Sequence, residues 1–118
     1  MKYIGELKTL TDNERAAVKE LAAGLKALYG NNLSRLILFG SKARGDFDPE
    51  SDIDILVVLK KIGGLYDEIR RINEIKSPIC LKYDTPLSTI PQLRETVEAD
   101  YKNIFIHNVM GEGVQIPL

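Results

Sequence analysis

Residues 36–59 read LILFGSKARGDFDPESDIDILVVL. Two apolar runs, 36–39 and 53–59, bracket a polar segment that opens with Gly40-Ser41 and closes with Asp52-Ile53-Asp54. A strand alternates faces at every residue, so Asp52 and Asp54 at the head of the second run share a face. Two carboxylates beside a glycine turn suit a divalent cation carrying phosphate groups.

Each residue of the segment has a chemical part in that reading. Gly40 has no side chain to keep a phosphate from the backbone. Ser41 offers a hydroxyl and an N–H at the start of an expected helical turn, where unpaired donors favour anions. Lys42 and Arg44 can add cationic contacts, Arg44 with the planar fork that fits phosphate oxygens. Asp52 and Asp54 can hold one or two Mg²⁺ ions against the phosphates. Taken singly, Gly40 is an ordinary turn glycine, Lys42 and Arg44 ordinary surface charges, and each Asp an ordinary turn residue. Their order and spacing carry the argument.

Other motifs fail on specific residues. A P-loop needs Gly-Lys-Ser/Thr after four residues from a first glycine, and GSKARGDF lacks it. The acidic run Asp46, Asp48, Glu50, Asp52, Asp54 has the spacing of a calcium loop. The required glycine is Ser51, however, and the closing glutamate is Val57. Ser41 as a nucleophile wants a histidine base, and the single histidine, His107, lies far along the chain in an apolar context that suggests a structural role.

Working outward, Thr11 and Glu14 form a capping-box pattern. Val18, Leu21, Ala22, Leu25, Leu28 and Tyr29 follow at helical spacing, with Gly30 as the stop. The spacing predicts strands at 33–39 and 53–59, a brief helical turn at 41–45 and a loop at 46–51 around Asp48-Pro49. Gly63-Gly64 breaks the pattern, and Leu65, Ile69, Ile72 and Ile75 return to helical spacing. Ser77-Pro78 ends this helix or starts another. The next strand lies at 79–83, or the helix runs to Tyr83 and the strand lies at 85–90; the poor alternation of 79–83 favours the second. Helices are expected at 93–100 and 104–110, the latter closed by Gly111, with a final strand or extended tail at 114–116. The expected fold is α/β, a small mixed β-sheet with helices packed on it, in a single domain spanning 1–118.

Composition excludes several classes. The chain has 118 residues, 44% hydrophobic and 28% charged, with net charge −1 and a pI near 5.8, so bulk charge gives no support to nucleic-acid binding. Cys80 is the sole cysteine, which rules out an internal disulfide and suits a small core residue. No apolar run reaches membrane-spanning length and no leader-type segment is legible, so a cytoplasmic protein is expected.

The stretch GSKARGDFDPESDIDILVVL resembles the signature of the DNA polymerase β-like nucleotidyltransferase superfamily. More narrowly it resembles the minimal nucleotidyltransferases, small proteins with little beyond the catalytic core. The spacing of Gly-Ser, ten residues and Asp-X-Asp matches at Gly40, Ser41, Asp52 and Asp54. The following helix, the strand near residue 88 and the ending IFIHNVMGEGV are also similar. The resemblance implies Mg²⁺-dependent transfer of a nucleotide, typically AMP from ATP, to an acceptor hydroxyl with loss of pyrophosphate. Gly40 and Ser41 would carry the triphosphate, and Asp52 and Asp54 the metal. It also implies a partner: many such proteins act as antitoxins that bind and adenylylate a HEPN-domain ribonuclease toxin, in a homo- or hetero-oligomer.

One departure stands out. The superfamily usually has a third carboxylate on a later strand. A strand at 79–84 gives Asp84 that place; a strand at 85–90 puts Ser88 there and leaves no acid. A catalytically weak antitoxin that neutralises by contact is therefore the alternative. A small-molecule or RNA acceptor, which usually calls for an additional domain, ranks below both.

Overall fold

The computed structural model describes residues 1–46 and 51–118. Among these residues the chain forms β1 (Lys2–Tyr3), a 3₁₀ turn at Ile4–Glu6, α1 (Asp12–Tyr29), β2 (Leu33–Phe39), α2 (Ser41–Arg44), β3 (Ile53–Leu59), α3 (Leu65–Tyr83), β4 (Leu87–Leu93), α4 (Arg94–Glu98), α5 (Ile104–Glu112) and β5 (Val114–Ile116). The loop expected at 46–51 lies mostly outside the described residues.

The strands form one mixed sheet in the order β1-β5-β2-β3-β4. β2 runs antiparallel to β3 and β5, whereas β3 and β4 are parallel, as are β1 and β5. Alternation along the strands divides the core. Leu36, Leu38, Ile53, Ile55, Val57 and Leu59 face α1 and α3, and Ile37, Phe39, Leu56 and Val58 meet Val97, Ile106 and Val109 on the other face. Both faces are covered, which is why 53–59 reads as an almost unbroken apolar run. Each fully buried Leu, Ile or Val stabilises the fold by about 1.5–3 kcal/mol relative to exposure.

α1 starts at the expected Thr11 cap. The Thr11 side chain accepts from the Glu14 amide at 3.1 Å, and Glu14 accepts from the Thr11 amide at 2.8 Å. α1 and α3 are tied by Tyr29, whose hydroxyl donates to the buried Glu68 at 3.2 Å while Arg71 pairs with the same oxygen at 3.0 Å. Burial and the Glu68 charge push the Tyr29 phenol up to about 12.

α3 runs unbroken through Pro78 to Tyr83, so Ser77-Pro78 does not divide it. A proline inside a helix costs about 3 kcal/mol; burial of Ile72 and Ile79 on either side of it offsets that cost. The strand follows at Leu87–Leu93, confirming the second of the two expectations with a boundary shifted by two to three residues. Pro91 is tolerated within it because β4 is an edge strand of the sheet among the described residues. α5 continues through Gly111 and stops at Gly113, where a Cβ would lie 2.5 Å from Ile37 Cγ2 and 2.6 Å from the Val109 carbonyl. The closing glycine is set by this packing.

Candidate functional site

Sheet register gathers the site at one end of β2 and β3. Phe39 pairs with Asp54, so Gly40 leaves β2 beside that carboxylate. Leu38 pairs with Val114, which brings the end of α5 alongside the same turn. Ser88 of β4 pairs with Asp54 from the other side. Sequence-distant segments thus converge because ladder pairing fixes their ends together.

Gly40 has φ 80° and ψ −158°, a conformation that side-chain-bearing residues rarely adopt. A Cβ there would stand 2.3 Å from Asp54 Oδ2. The glycine therefore allows the carboxylate to lie directly against the turn. The Gly40 carbonyl accepts from the Ala43 and Arg44 amides, each at 3.1 Å, closing the short α2 turn that the sequence predicts.

Gly40, Ser41, Arg44 and Asp54 line one recess of about 730 Å³, within the usual range for small-molecule sites. The opposite wall comes from α5, with Phe105, His107, Asn108 and Glu112. Glu112 Oε1 accepts from the Gly40 amide at 3.2 Å, and Glu112 Oε2 accepts from Arg44 Nη1 at 2.9 Å. Arg44 Nε also donates to both carboxylate oxygens of Asp46, at 3.2 and 3.3 Å.

The Asp54 carboxyl is shifted up. Burial is the main cause, the negative charges of Asp52 and Glu112 add to it, and Arg44 opposes it. Asp52 is exposed just before β3, and its field reaches Asp54. The Asp52 charge raises the cost of ionising Asp54, and a carboxylate so placed beside a second one suits a hard divalent cation. No group of three or more His, Cys, Asp or Glu gathers as a metal cage among the described residues. A two-carboxylate site leaves coordination positions for phosphate oxygens and water, as Mg²⁺ prefers.

Lys42 requires a correction. Instead of facing the recess it is buried at 2% exposure and pairs with Glu14 Oε2 at 2.9 Å beneath the start of α1. Along the short α2 helix, Lys42 falls on the core side and Arg44 on the open side. Burial raises the cost of charge on Glu14, but the Thr11 amide and the Lys42 ammonium outweigh it and hold the carboxyl below its ordinary range. Glu14, read from sequence only as a cap residue, also anchors this cation.

Asp84 is the left-handed cap of α3, with φ 49°, and borders a separate recess with Glu14 and Lys42. It does not line the Gly40–Asp54 recess; the residue opposite Asp54 is Ser88. His107 also departs from its expected structural role: it is exposed at the rim, 3.7 Å from Asp100. Glu112 escaped the sequence reading. Its signal was the helical spacing of Phe105, Asn108 and Glu112, which puts the three on one stripe of α5 beside the buried Val109.

Another recess, of about 450 Å³, lies between α1 and residues 116–118. Its lining is apolar apart from Arg15, Lys19 and Lys26 and contains no acidic side chain, unlike the Gly40–Asp54 recess. No described helix is long and apolar enough to cross a membrane.

The chain is 37% identical over 99 residues to a Methanocaldococcus jannaschii protein named "Putative protein adenylyltransferase MJ0141", covering 84% of this chain and 94% of that one. A second protein of that organism, "Putative protein adenylyltransferase MJ0604", is 36% identical over 101 residues, covering 86% and 95%. The fold resembles a solved structure described as a "putative minimal nucleotidyltransferase", with TM-score 0.55, 26% identity and coverage of 92% and 97%. A crystal structure of a "putative nucleotidyltransferase" from Sulfolobus solfataricus has the same TM-score of 0.55 at 22% identity, covers 90% and 86%, and supports the fold alone. The family model described as "Nucleotidyltransferase domain" matches residues 18–108, from within α1 to within α5 and across the whole Gly40–Asp54 site. On that match and those relatives, this chain belongs to the nucleotidyltransferase domain family.

Proposed function

We propose that this protein transfers AMP from ATP, with Mg²⁺, to a hydroxyl on a protein partner. The observation that carries the reading is the single recess that unites Gly40, Ser41, Arg44 and Asp54. The names of its two relatives favour a protein as acceptor. In this reading the Gly40 amide, the Ser41 hydroxyl and Arg44 bind the triphosphate, and Asp52 and Asp54 hold the cation. Bound Mg²⁺ supplies neutralisation of phosphate charge and polarisation of the α-phosphorus. The acceptor oxygen bonds to that phosphorus as the bond from phosphorus to pyrophosphate breaks, and the acceptor proton passes to solvent water. Among the chain's own groups, Arg44 offsets developing charge on the phosphates, and the exposed rim around His107 and Phe105 receives the acceptor.

The partner we propose is a HEPN-domain toxin, with this chain as its antitoxin. Incubation of this protein, Mg²⁺ and α-labelled ATP with such a partner should label the partner. Absence of label, where an authentic homologue succeeds, refutes the reading.

One observation favours a second reading. Ser88, not an acid, stands in register with Asp54, and in this second reading no carboxylate on β4 activates the acceptor. General-base assistance is typically worth about 10²-fold or more. An antitoxin that neutralises by contact alone would still suppress its partner after joint Asp52→Asn and Asp54→Asn substitution. An adenylylating one would not.

A further inference from the structure

Glu112 holds two donors at once, one on each carboxylate oxygen. Oε1 takes the Gly40 amide at 3.2 Å and Oε2 takes Arg44 Nη1 at 2.9 Å. Those are two of the groups assigned above to the triphosphate. A bridging carboxylate and a phosphate present the same feature to such a pair, two anionic oxygens that each accept a charge-assisted hydrogen bond. With Asp46 on its Nε, Arg44 is already engaged by two acids. The Glu112 side chain keeps 24% exposure and borders the open recess, so it has somewhere to go.

We propose that Glu112 is a displaceable stand-in for phosphate: it occupies the Gly40 amide and Arg44 in the free protein, and a nucleoside triphosphate binds by expelling it. The proposal rests on the nucleotide reading and adds to it a threshold. Its contact with Gly40 and occupancy by phosphate exclude one another, so the chain carries its own competitor. The same contact keeps the Gly40 turn ordered before the nucleotide arrives. Its position follows from the fold: Gly113 and β5 lock the end of α5 beside β2.

The test is calorimetric titration of wild type, Glu112→Gln and Glu112→Ala with ATP and with inorganic triphosphate, in Mg²⁺. Removing the competing charge should tighten binding of both ligands by about 5- to 10-fold, since a charge-assisted contact no longer has to be broken. In wild type labelled with ¹³C and ¹⁵N, ATP should shift the Glu112 carboxyl and Gly40 amide resonances together. Unchanged or weaker binding by folded variants, with wild type binding ATP, overturns the competitor and leaves the nucleotide reading standing. Binding by none of the three proteins overturns both. If the variants do not fold, the wild-type spectra decide: ATP binding with the Gly40 and Glu112 resonances unmoved overturns the proposal.

Discussion

Replacing Gly40 by alanine tests the site at its tightest point. Two costs are separable. The backbone sits at φ 80°, ψ −158°, and a residue held in so sparsely populated a region costs about 1–3 kcal/mol. The new Cβ would also lie 2.3 Å from Asp54 Oδ2. An ordinary C···O contact lies near ~3.3 Å, so the carboxylate must withdraw by about 1 Å. Because that oxygen ends a side chain that can rotate, the steric part should stay near the lower end of the ~1–3 kcal/mol typical of overpacking. A total of about 2–4 kcal/mol lowers the melting temperature of a domain this size by roughly 8–16 °C. Function should suffer more than stability, because a 1 Å misplacement of a reacting group can cost about 10²-fold. Calorimetry of the free protein measures the first effect and Mg²⁺-ATP titration with turnover measures the second. In an Asp54→Ala background, Gly40→Ala should cost about 1 kcal/mol less than in wild type, leaving only the backbone part. A Gly40→Ala protein within about 0.5 kcal/mol of wild type, with Mg²⁺-ATP affinity unchanged, would refute the argument.

Asp54→Asn should stabilise the free protein at neutral pH while removing Mg²⁺-dependent activity. The folded pKa of Asp54 is raised, so its charge opposes folding above that pKa; as pH falls through it the penalty disappears, and urea melts of the two proteins should converge. Glu14→Gln should cost about 2–4 kcal/mol at pH 7, because it breaks a largely buried pair with Lys42. The folded pKa of Glu14 is lowered, so its contribution is full above the unfolded carboxyl pKa and lost as pH falls through the folded one. Equal gaps between wild type and Glu14→Gln at pH 7 and pH 3 would contradict the assignment. Gly113→Ala should cost about 1–3 kcal/mol, since the Val109 carbonyl cannot yield as a side chain can. It should also alter ATP affinity by moving Glu112, and an unaffected melt would argue against the packing described here.

Much of the chain is legible because its signals are local. The Thr11–Glu14 cap, the stop at Gly30, the apolar run 53–59 and the Gly40-Ser41 turn depend on residues a few positions apart, and all four recur in the structure. The α/β class follows from them. Where neighbours in space are distant in sequence, local pattern goes silent. Nothing near Pro78 says that burial of Ile72 and Ile79 will carry a helix through it. Gly111 and Gly113 look alike as stops until Ile37 is packed against the second. Lys42 and Arg44 read as equivalent cations until α2 turns one toward Glu14 and the other toward the recess.

The same division runs through Gly40–Asp54. Residue order supplies a glycine turn, a hydroxyl, a fork-shaped cation and two carboxylates, because their chemistry is written in their types and spacing. Ladder register adds the rest: Asp54 against the Gly40 turn, Ser88 in place of a third acid, and Glu112 across 72 residues onto the Gly40 amide. Hydrogen-bonded strands fix which ends meet, and the ends that meet set what the recess can hold.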